Sequence, residues 1–312
     1  MANKIAFVFP GQGAQAIGMG KDAFDSYEVS RSVFHQADEA LGFALSDIIF
    51  NGPNDELKQT ANTQPALLTV SVALLEALKG RGLSPDYVAG HSLGEYSALV
   101  AAGALSFQDA VRTVRARGEF MEQAVPGGTG AMAAVLGAER EALAELCAAV
   151  SADTGAVELA NVNCPGQIVV SGTASGVQAV VERGKEAGAK RVLPLEVSGP
   201  FHSSLMKPAA ERLAGVLEQA AFADASVPVL ANVTAEPVTA ASDIRRLLVE
   251  QVYSPVLWED SVRKLIELGV DTFVEIGSGS VLAGLIKKID RGVNVISINS
   301  VQSLEAALTP AG

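Results

Sequence analysis

Gly90-His91-Ser92-Leu93-Gly94 constrains this chain more than any other stretch. It follows the apolar run Tyr87-Val88-Ala89 and precedes a helical pattern from Glu95 to Ala102. A strand, a sharp turn with serine between two glycines, and a helix make the pattern of a nucleophile elbow. The glycines let the backbone turn tightly with no Cβ in the way. The turn lifts the Ser92 hydroxyl out of the packing, and the Leu93 N–H, opening the next helix, points where an oxyanion would form. The competing reading is a strand-to-helix turn that merely carries a serine.

The rest of the chain supplies a sheet for such an elbow. Lys4-Ile5-Ala6-Phe7-Val8-Phe9, ending at Pro10, reads as a buried parallel strand. Gly11-Gln12-Gly13-Ala14-Gln15 follows. It lacks the Lys-Ser/Thr of a P-loop and the spacing of a dinucleotide fingerprint. Close backbone approach to a ligand or to the elbow, or a tight turn alone, both remain open for it. Helices are expected near 28–41, 64–79 (with Pro65 in the first turn) and 107–125. Later come helices near 203–220, 242–252, 258–268 and 281–289, and strands near 227–231, 272–276 and 293–298. Alternating strands and helices imply a mainly parallel sheet covered on both faces. Gly277-Ser278-Gly279 reads as a turn first and an active-site wall second.

Residues 127–197 change character. Strand, helix, two strands, helix and strand follow one another, the β-α-β-β-α-β order of a ferredoxin-like module. Pro126-Gly127-Gly128 and Ser198-Gly199-Pro200 bracket it, so it reads as an insertion. The expected division is a catalytic domain of residues 1–127 and 198–312, with an inserted subdomain of residues 128–197 that could roof the site.

Of 312 residues, 49% are hydrophobic and 19% charged, which suits a compact soluble α/β enzyme. No apolar run approaches a membrane span, and residues 1–9 lack the basic start of a signal peptide. A cytoplasmic chain without membrane contact is expected, with Cys147 and Cys164 unpaired in a reducing compartment. Too few Cys and His cluster to suggest a metal site. A net charge of −12 argues against nucleic acid, whose phosphates need Lys and Arg.

A serine hydroxyl needs a general base near neutral pH. Three histidines are available. His91 precedes Ser92 and should point away from it. His35 lies on the polar side of the 28–41 helix. His202 follows a Ser-Gly-Pro-Phe bend, from which a loop can present it over the end of the sheet, so elimination leaves His202. No acid between Ser92 and His202 stands out as the orienting third group, which argues against an ordinary α/β-hydrolase and leaves a backbone carbonyl open for the task. In the 107–125 helix, Arg117 shares a side with Ala110, Thr113, Phe120 and Ala124. It is the only charge there, with Asp109 no nearer than the edge. Such an arginine is costly unless it meets an anion; the bland alternative is snorkelling or a distant carboxylate.

Phe9-Pro10-Gly11-Gln12-Gly13, Gln64-Pro65-Ala66, Gly90-His91-Ser92-Leu93-Gly94-Glu95, Arg117-Gly118, Gly130-Ala131-Met132, Asn163-Cys164-Pro165-Gly166-Gln167, Gly199-Pro200-Phe201-His202-Ser203 and Glu275-Ile276-Gly277 occur in order across almost the whole chain. Together they resemble the motifs of malonyl-CoA:acyl carrier protein transacylases. The resemblance implies an α/β-hydrolase-like parallel-sheet domain with a ferredoxin-like insertion. It implies Ser92 as nucleophile, His202 as base and the Gln251 backbone carbonyl as its holder, with Glu250 as rival. It implies Arg117 on the malonyl carboxylate and the N–H groups of Gln12 and Leu93 as oxyanion hole. Asn161, Asn163, Gln167 and Arg191 would line the coenzyme A channel. No cofactor would be held permanently: the coenzyme A thioester is substrate, and phosphopantetheine arrives on the carrier protein. A monomer is expected.

Fatty acid synthesis is the expected destination, with a polyketide carrier as the alternative and a serine thioesterase as the rival in kind. A non-catalytic assembly module is a further rival, opposed by the joint presence of Ser92, His202 and Arg117. Carrier proteins of this type are acidic, as is this chain, so docking would need a local basic patch. Lys185, Lys190, Arg191, Lys207, Lys287 and Lys288 are candidates for it.

Overall fold

The computed structural model describes residues 3–308. Its ten strands are β1 (Lys4–Phe9), β2 (Tyr87–Gly90), β3 (Gly130–Leu136), β4 (Val157–Cys164), β5 (Gln167–Thr173), β6 (Arg191–Pro194), β7 (Val229–Leu230), β8 (Pro237–Val238), β9 (Val270–Ile276) and β10 (Asn294–Ile298). Six form one sheet in the order β10-β9-β1-β2-β7-β8, and four form another in the order β4-β5-β3-β6. In the larger sheet every pair is parallel except β7–β8. Its central strand, β1, is buried from Ala6 to Phe9 because helices cover both faces.

Parallel pairing puts the carboxyl ends of β1, β2 and β9 on one edge of the sheet, where ligands of open α/β sheets bind. Three loops meet there. A Cβ on Gly11 would lie 2.3 Å from the His91 carbonyl oxygen, and one on Gly94 2.1 Å from that of Phe9. The Gly11–Gln15 loop is therefore pressed against the elbow, which answers one question the sequence left open. Gly277, at φ 143°, turns the chain after β9, and Ser278 Oγ donates to the Ala14 carbonyl at 2.7 Å. That third loop braces the first.

The smaller sheet is antiparallel throughout, and its strands run in the ferredoxin-like spatial order, with the two helices 140–153 and 174–183 between strands. It has an apolar cluster of its own, including Val135, Leu143, Val150, Val170 and Val177. β4 joins it to the larger body: Val162 N–H donates to the Val256 carbonyl at 2.9 Å and Val256 N–H to that of Ala160 at 2.8 Å.

The helix expected to open at Gln64-Pro65 runs from Thr60 to Leu78 with Pro65 inside it. Proline cannot donate to the Ala61 carbonyl; that oxygen accepts from Arg115 Nη1 at 3.2 Å instead. The helix expected over 203–220 is a short 3₁₀ turn, Ser204–Met206, followed by the helix Lys207–Gln219. Short helices at Lys21–Ser26, Leu45–Asn51 and Asn54–Leu57 have too few turns to show a periodic pattern in the sequence.

Candidate active site

The elbow is built as its glycines require. A Cβ on Gly90 would fall 1.9 Å from the Gly94 carbonyl carbon. Ser92 itself sits at φ 53°, a left-handed conformation that costs a non-glycine residue about 1–3 kcal/mol. Hydrogen bonds hold it there. Ser92 N–H donates to Asn232 Oδ1 at 2.8 Å, Asn232 Nδ2 donates to the Gly90 carbonyl at 2.7 Å, and Gln251 Nε2 donates to the Ser92 carbonyl at 3.0 Å.

His202 Nε2 stands 2.7 Å from Ser92 Oγ, and Nδ1 stands 2.8 Å from the Gln251 backbone carbonyl. A carbonyl only accepts, so Nδ1 carries the proton and Nε2 faces the serine as an acceptor. Burial, reinforced by the Arg117 charge, pushes the imidazole down to about 3, so it is neutral near pH 7. The loop is anchored on both sides of the ring. Ser203 Oγ donates to the Pro200 carbonyl at 2.7 Å, while Glu158 of β4 accepts from the N–H and hydroxyl of Ser204. Glu250 does not orient the ring; its carboxylate accepts from Arg246 Nη1 at 2.8 Å. His91 turns its Nε2 to Asn163 Oδ1 at 2.8 Å, and His35 is exposed on its helix.

Arg117 is 1% exposed. Gly118 lets its helix approach the 60–78 helix closely, since a Cβ there would meet Ala61 Cα at 2.8 Å. The guanidinium donates from Nη1 to Gln64 Oε1 at 2.8 Å, and from Nη2 to Gln251 Oε1 at 2.8 Å and Ser92 Oγ at 3.1 Å. The Tyr96 ring lies 5.7 Å from it, and Nε has no partner. Among the described residues no carboxylate forms an ion pair with it, so a cation stands beside the nucleophile without an anion in contact.

These groups open into a cavity of about 470 Å³. Gln12, Asn161, Asn163 and Gln167 line it, the last three from β4 and β5. Met132 and Val169 extend the same wall, so the smaller sheet forms one side of the cavity. Arg191 is not among the residues lining this cavity; it is exposed on edge strand β6. Among the described residues, the N–H groups of Gln12 and Leu93 meet no protein acceptor, which leaves both free for an oxyanion. Of the basic candidates, Lys288 reaches the rim, with Nζ 3.5 Å from Gln167 Oε1. Cys147 and Cys164 are buried free thiols.

Three residues of the site had no assigned role in the sequence. Gln64 lay within a quoted motif, and Glu95 ended the elbow motif itself. Asn232, in the loop after β7, carried no signal.

The acyl transferase domain family matches residues 6–304. The malonyl CoA-acyl carrier protein transacylase of Bacillus subtilis (strain 168) is 56% identical over 306 residues, covering 98% of this chain and 96% of that protein. The crystal structure of an acyl-carrier-protein-S-malonyltransferase from Bartonella henselae superposes with a TM-score of 0.95 at 44% identity, covering 98% of each chain. A type II PKS acyl-carrier protein in complex with its malonyl-transacylase matches with a TM-score of 0.95 at 43% identity, over 98% of this chain and 99% of that one. This chain belongs to the acyl transferase domain family.

Proposed function

We propose that this enzyme transfers the malonyl group from malonyl-CoA to the phosphopantetheine thiol of an acyl carrier protein, supplying extender units for fatty acid synthesis. The observation that carries the reading is Arg117 Nη2 at 3.1 Å from Ser92 Oγ. The malonyl carboxylate lies one methylene from the reacting carbonyl, so a cation that recognises it has to stand close to the nucleophile. An arginine fork can meet that carboxylate with two hydrogen bonds.

In the first half-reaction Ser92 Oγ attacks the thioester carbonyl as its proton passes to His202 Nε2. The N–H groups of Gln12 and Leu93 stabilise the oxyanion. Collapse breaks the C–S bond, and the departing CoA sulfur takes the proton from His202. A malonyl-serine ester remains. In the second half-reaction the phosphopantetheine thiol gives its proton to His202 and attacks the ester, and Ser92 recovers the proton as it leaves. The Gln251 carbonyl holds the imidazole in the required tautomer throughout. Asn161, Asn163 and Gln167 are proposed to contact the coenzyme A arm. Residues 128–197 are proposed as an inserted unit that walls the cavity, between the two segments of the catalytic domain. A monomer is the proposed acting form.

Incubating the enzyme with malonyl-CoA, with and without carrier protein, tests the reading. CoA release that depends on the acceptor thiol supports transfer; equal release without it supports a thioesterase. The PKS carrier complex of a relative favours one second reading, the same transfer to a polyketide carrier protein.

A further inference from the structure

Behind the guanidinium lies a second buried charge. Glu95 is the third residue past the nucleophile, the second of the helix Gly94–Ala101, and is 3% exposed. Its Oε2 accepts from Gln251 Nε2 at 2.8 Å and from the Asn232 N–H at 3.2 Å. The Gln251 carboxamide thus bridges two charges. Its Oε1 accepts from Arg117 Nη2 on one side, and its Nε2 donates to Glu95 on the other.

The polarity of that bridge is forced from both ends. Arg117 can only donate, so the oxygen of Gln251 must face it. An ionised Glu95 can only accept, so the amide nitrogen must face Glu95. The remaining neighbours of Nε2, the Ser92 carbonyl at 3.0 Å and Asn232 Oδ1 at 3.4 Å, are acceptors too. Without the carboxylate the amide loses its strongest charged acceptor, and turning it over would aim an NH₂ group at the guanidinium. A buried arginine with its anion at a distance, relayed through a neutral amide, donates only to neutral groups, Gln64, Gln251 and Ser92, and keeps its charge uncompensated by direct contact. A direct ion pair would occupy the fork that the substrate needs.

We propose that Glu95 is a positioning residue for substrate recognition: acting through the Gln251 side chain, it fixes the Arg117 guanidinium for the carboxylate of the acyl group. The inference rests on the malonyl reading above and adds to it a determinant that does not touch substrate.

Glu95→Gln in the full chain tests this, with transfer from malonyl-CoA and from acetyl-CoA measured side by side. Acetyl has no carboxylate and does not use Arg117. The expected result is a rise in KM for malonyl-CoA that lowers kcat/KM by about 10-fold or more, the scale of a lost charge-assisted hydrogen bond. Acetyl transfer should stay within about twofold. Equal losses for both substrates would make Glu95 a support of the elbow only and overturn the proposal, as would no loss for either. Glu95→Asp, which keeps the charge, should recover part of the malonyl preference.

A second measurement needs no variant. Burial pushes Glu95 up to about 7, against the pull of Gln251, Asn232 and Arg117. Arg117 is the charge that faces it, and Tyr96, whose own hydroxyl burial keeps protonated, is the other titratable neighbour. The malonyl-to-acetyl ratio of kcat/KM in the wild type should therefore fall as pH drops from 8 to 6, while His202 affects both substrates alike and cancels. A ratio flat across that range would contradict the proposal even if the variant does not fold. A wild-type enzyme that shows no malonyl preference at pH 8 would instead fail the functional reading itself.

Discussion

Arg117 and His202 converge on one oxygen: Nη2 of the first lies 3.1 Å and Nε2 of the second 2.7 Å from Ser92 Oγ. The hydroxyl donates to the imidazole and accepts from the guanidinium. One contact prepares attack and the other marks where the far end of the acyl group must sit. Arg117→Ala should lower kcat/KM for malonyl-CoA by about 100-fold or more, since two charge-assisted hydrogen bonds are lost. Acetyl transfer should persist. Arg117→Lys should be a poor substitute because an ammonium cannot reproduce the fork. Full malonyl preference in the Lys variant would contradict bidentate recognition.

Gln251 separates two roles in one residue. Its backbone carbonyl holds His202, while its side chain holds Arg117. Gln251→Ala keeps the carbonyl and removes the amide. Malonyl transfer should fall by about 10-fold or more with acetyl transfer much less affected. Equal collapse of both activities would indicate that the side chain serves mainly the elbow, through its bond to the Ser92 carbonyl.

The elbow tolerates no added methyl. Gly94→Ala would place a Cβ 2.1 Å from the Phe9 carbonyl oxygen, backbone against backbone. Overpacking of this kind costs about 1–3 kcal/mol or more. Thermal unfolding should show a clear drop in Tm, and the variant should lose activity beyond what its folded fraction explains. Gly13→Ala probes a contrasting position: no atom lies within 4 Å of a Cβ there, so only the strain at φ 106° should be felt.

His202 makes stability depend on pH in a defined sense. Its folded value, about 3, lies below the ordinary 6.5, so the unfolded chain binds a proton more readily than the native one. Stability is retained above pH 6.5 and lost as pH falls from there toward 3, on the order of a few kcal/mol in all. Glu95 acts in the opposite sense. Its folded value, about 7, lies above the ordinary 4.5, so rising pH between those values ionises it in the unfolded chain first and costs the native state. His202→Asn should flatten the acid limb in denaturant titrations, and Glu95→Gln should gain stability relative to wild type between pH 5 and 8. A variant that leaves the wild-type slope unchanged would contradict the corresponding assignment.

Much of this architecture can be read from the sequence where a local pattern carries it. The apolar run before Pro10, the strand before Gly90 and the 281–289 helix are local features, and each falls where periodicity and turn residues place it. The four-strand module is legible because its strands and helices alternate within about 70 residues between two Gly/Pro-rich brackets. The buried carboxylate of Glu95 was not. Glu95 sits on an apolar helix of low amphipathicity, and only the tertiary arrangement shows that it faces Gln251, 156 residues away. Asn232 escapes for the same reason, since its partners Gly90, Ser92 and Glu95 all lie more than 130 residues earlier. The Arg191 side chain could not be placed because an edge strand exposes one face whose direction depends on register.

The central claim is that Ser92 holds malonate between two thiols. Brief incubation with malonyl-CoA, acid quench and peptide mass spectrometry tests it most directly. The account predicts one malonyl group on the peptide carrying Ser92, formed without carrier protein and discharged when carrier protein is added. It also predicts no adduct in Ser92→Ala. Transfer to carrier protein with no Ser92 adduct under any quench, or an adduct that carrier protein does not discharge, would contradict it.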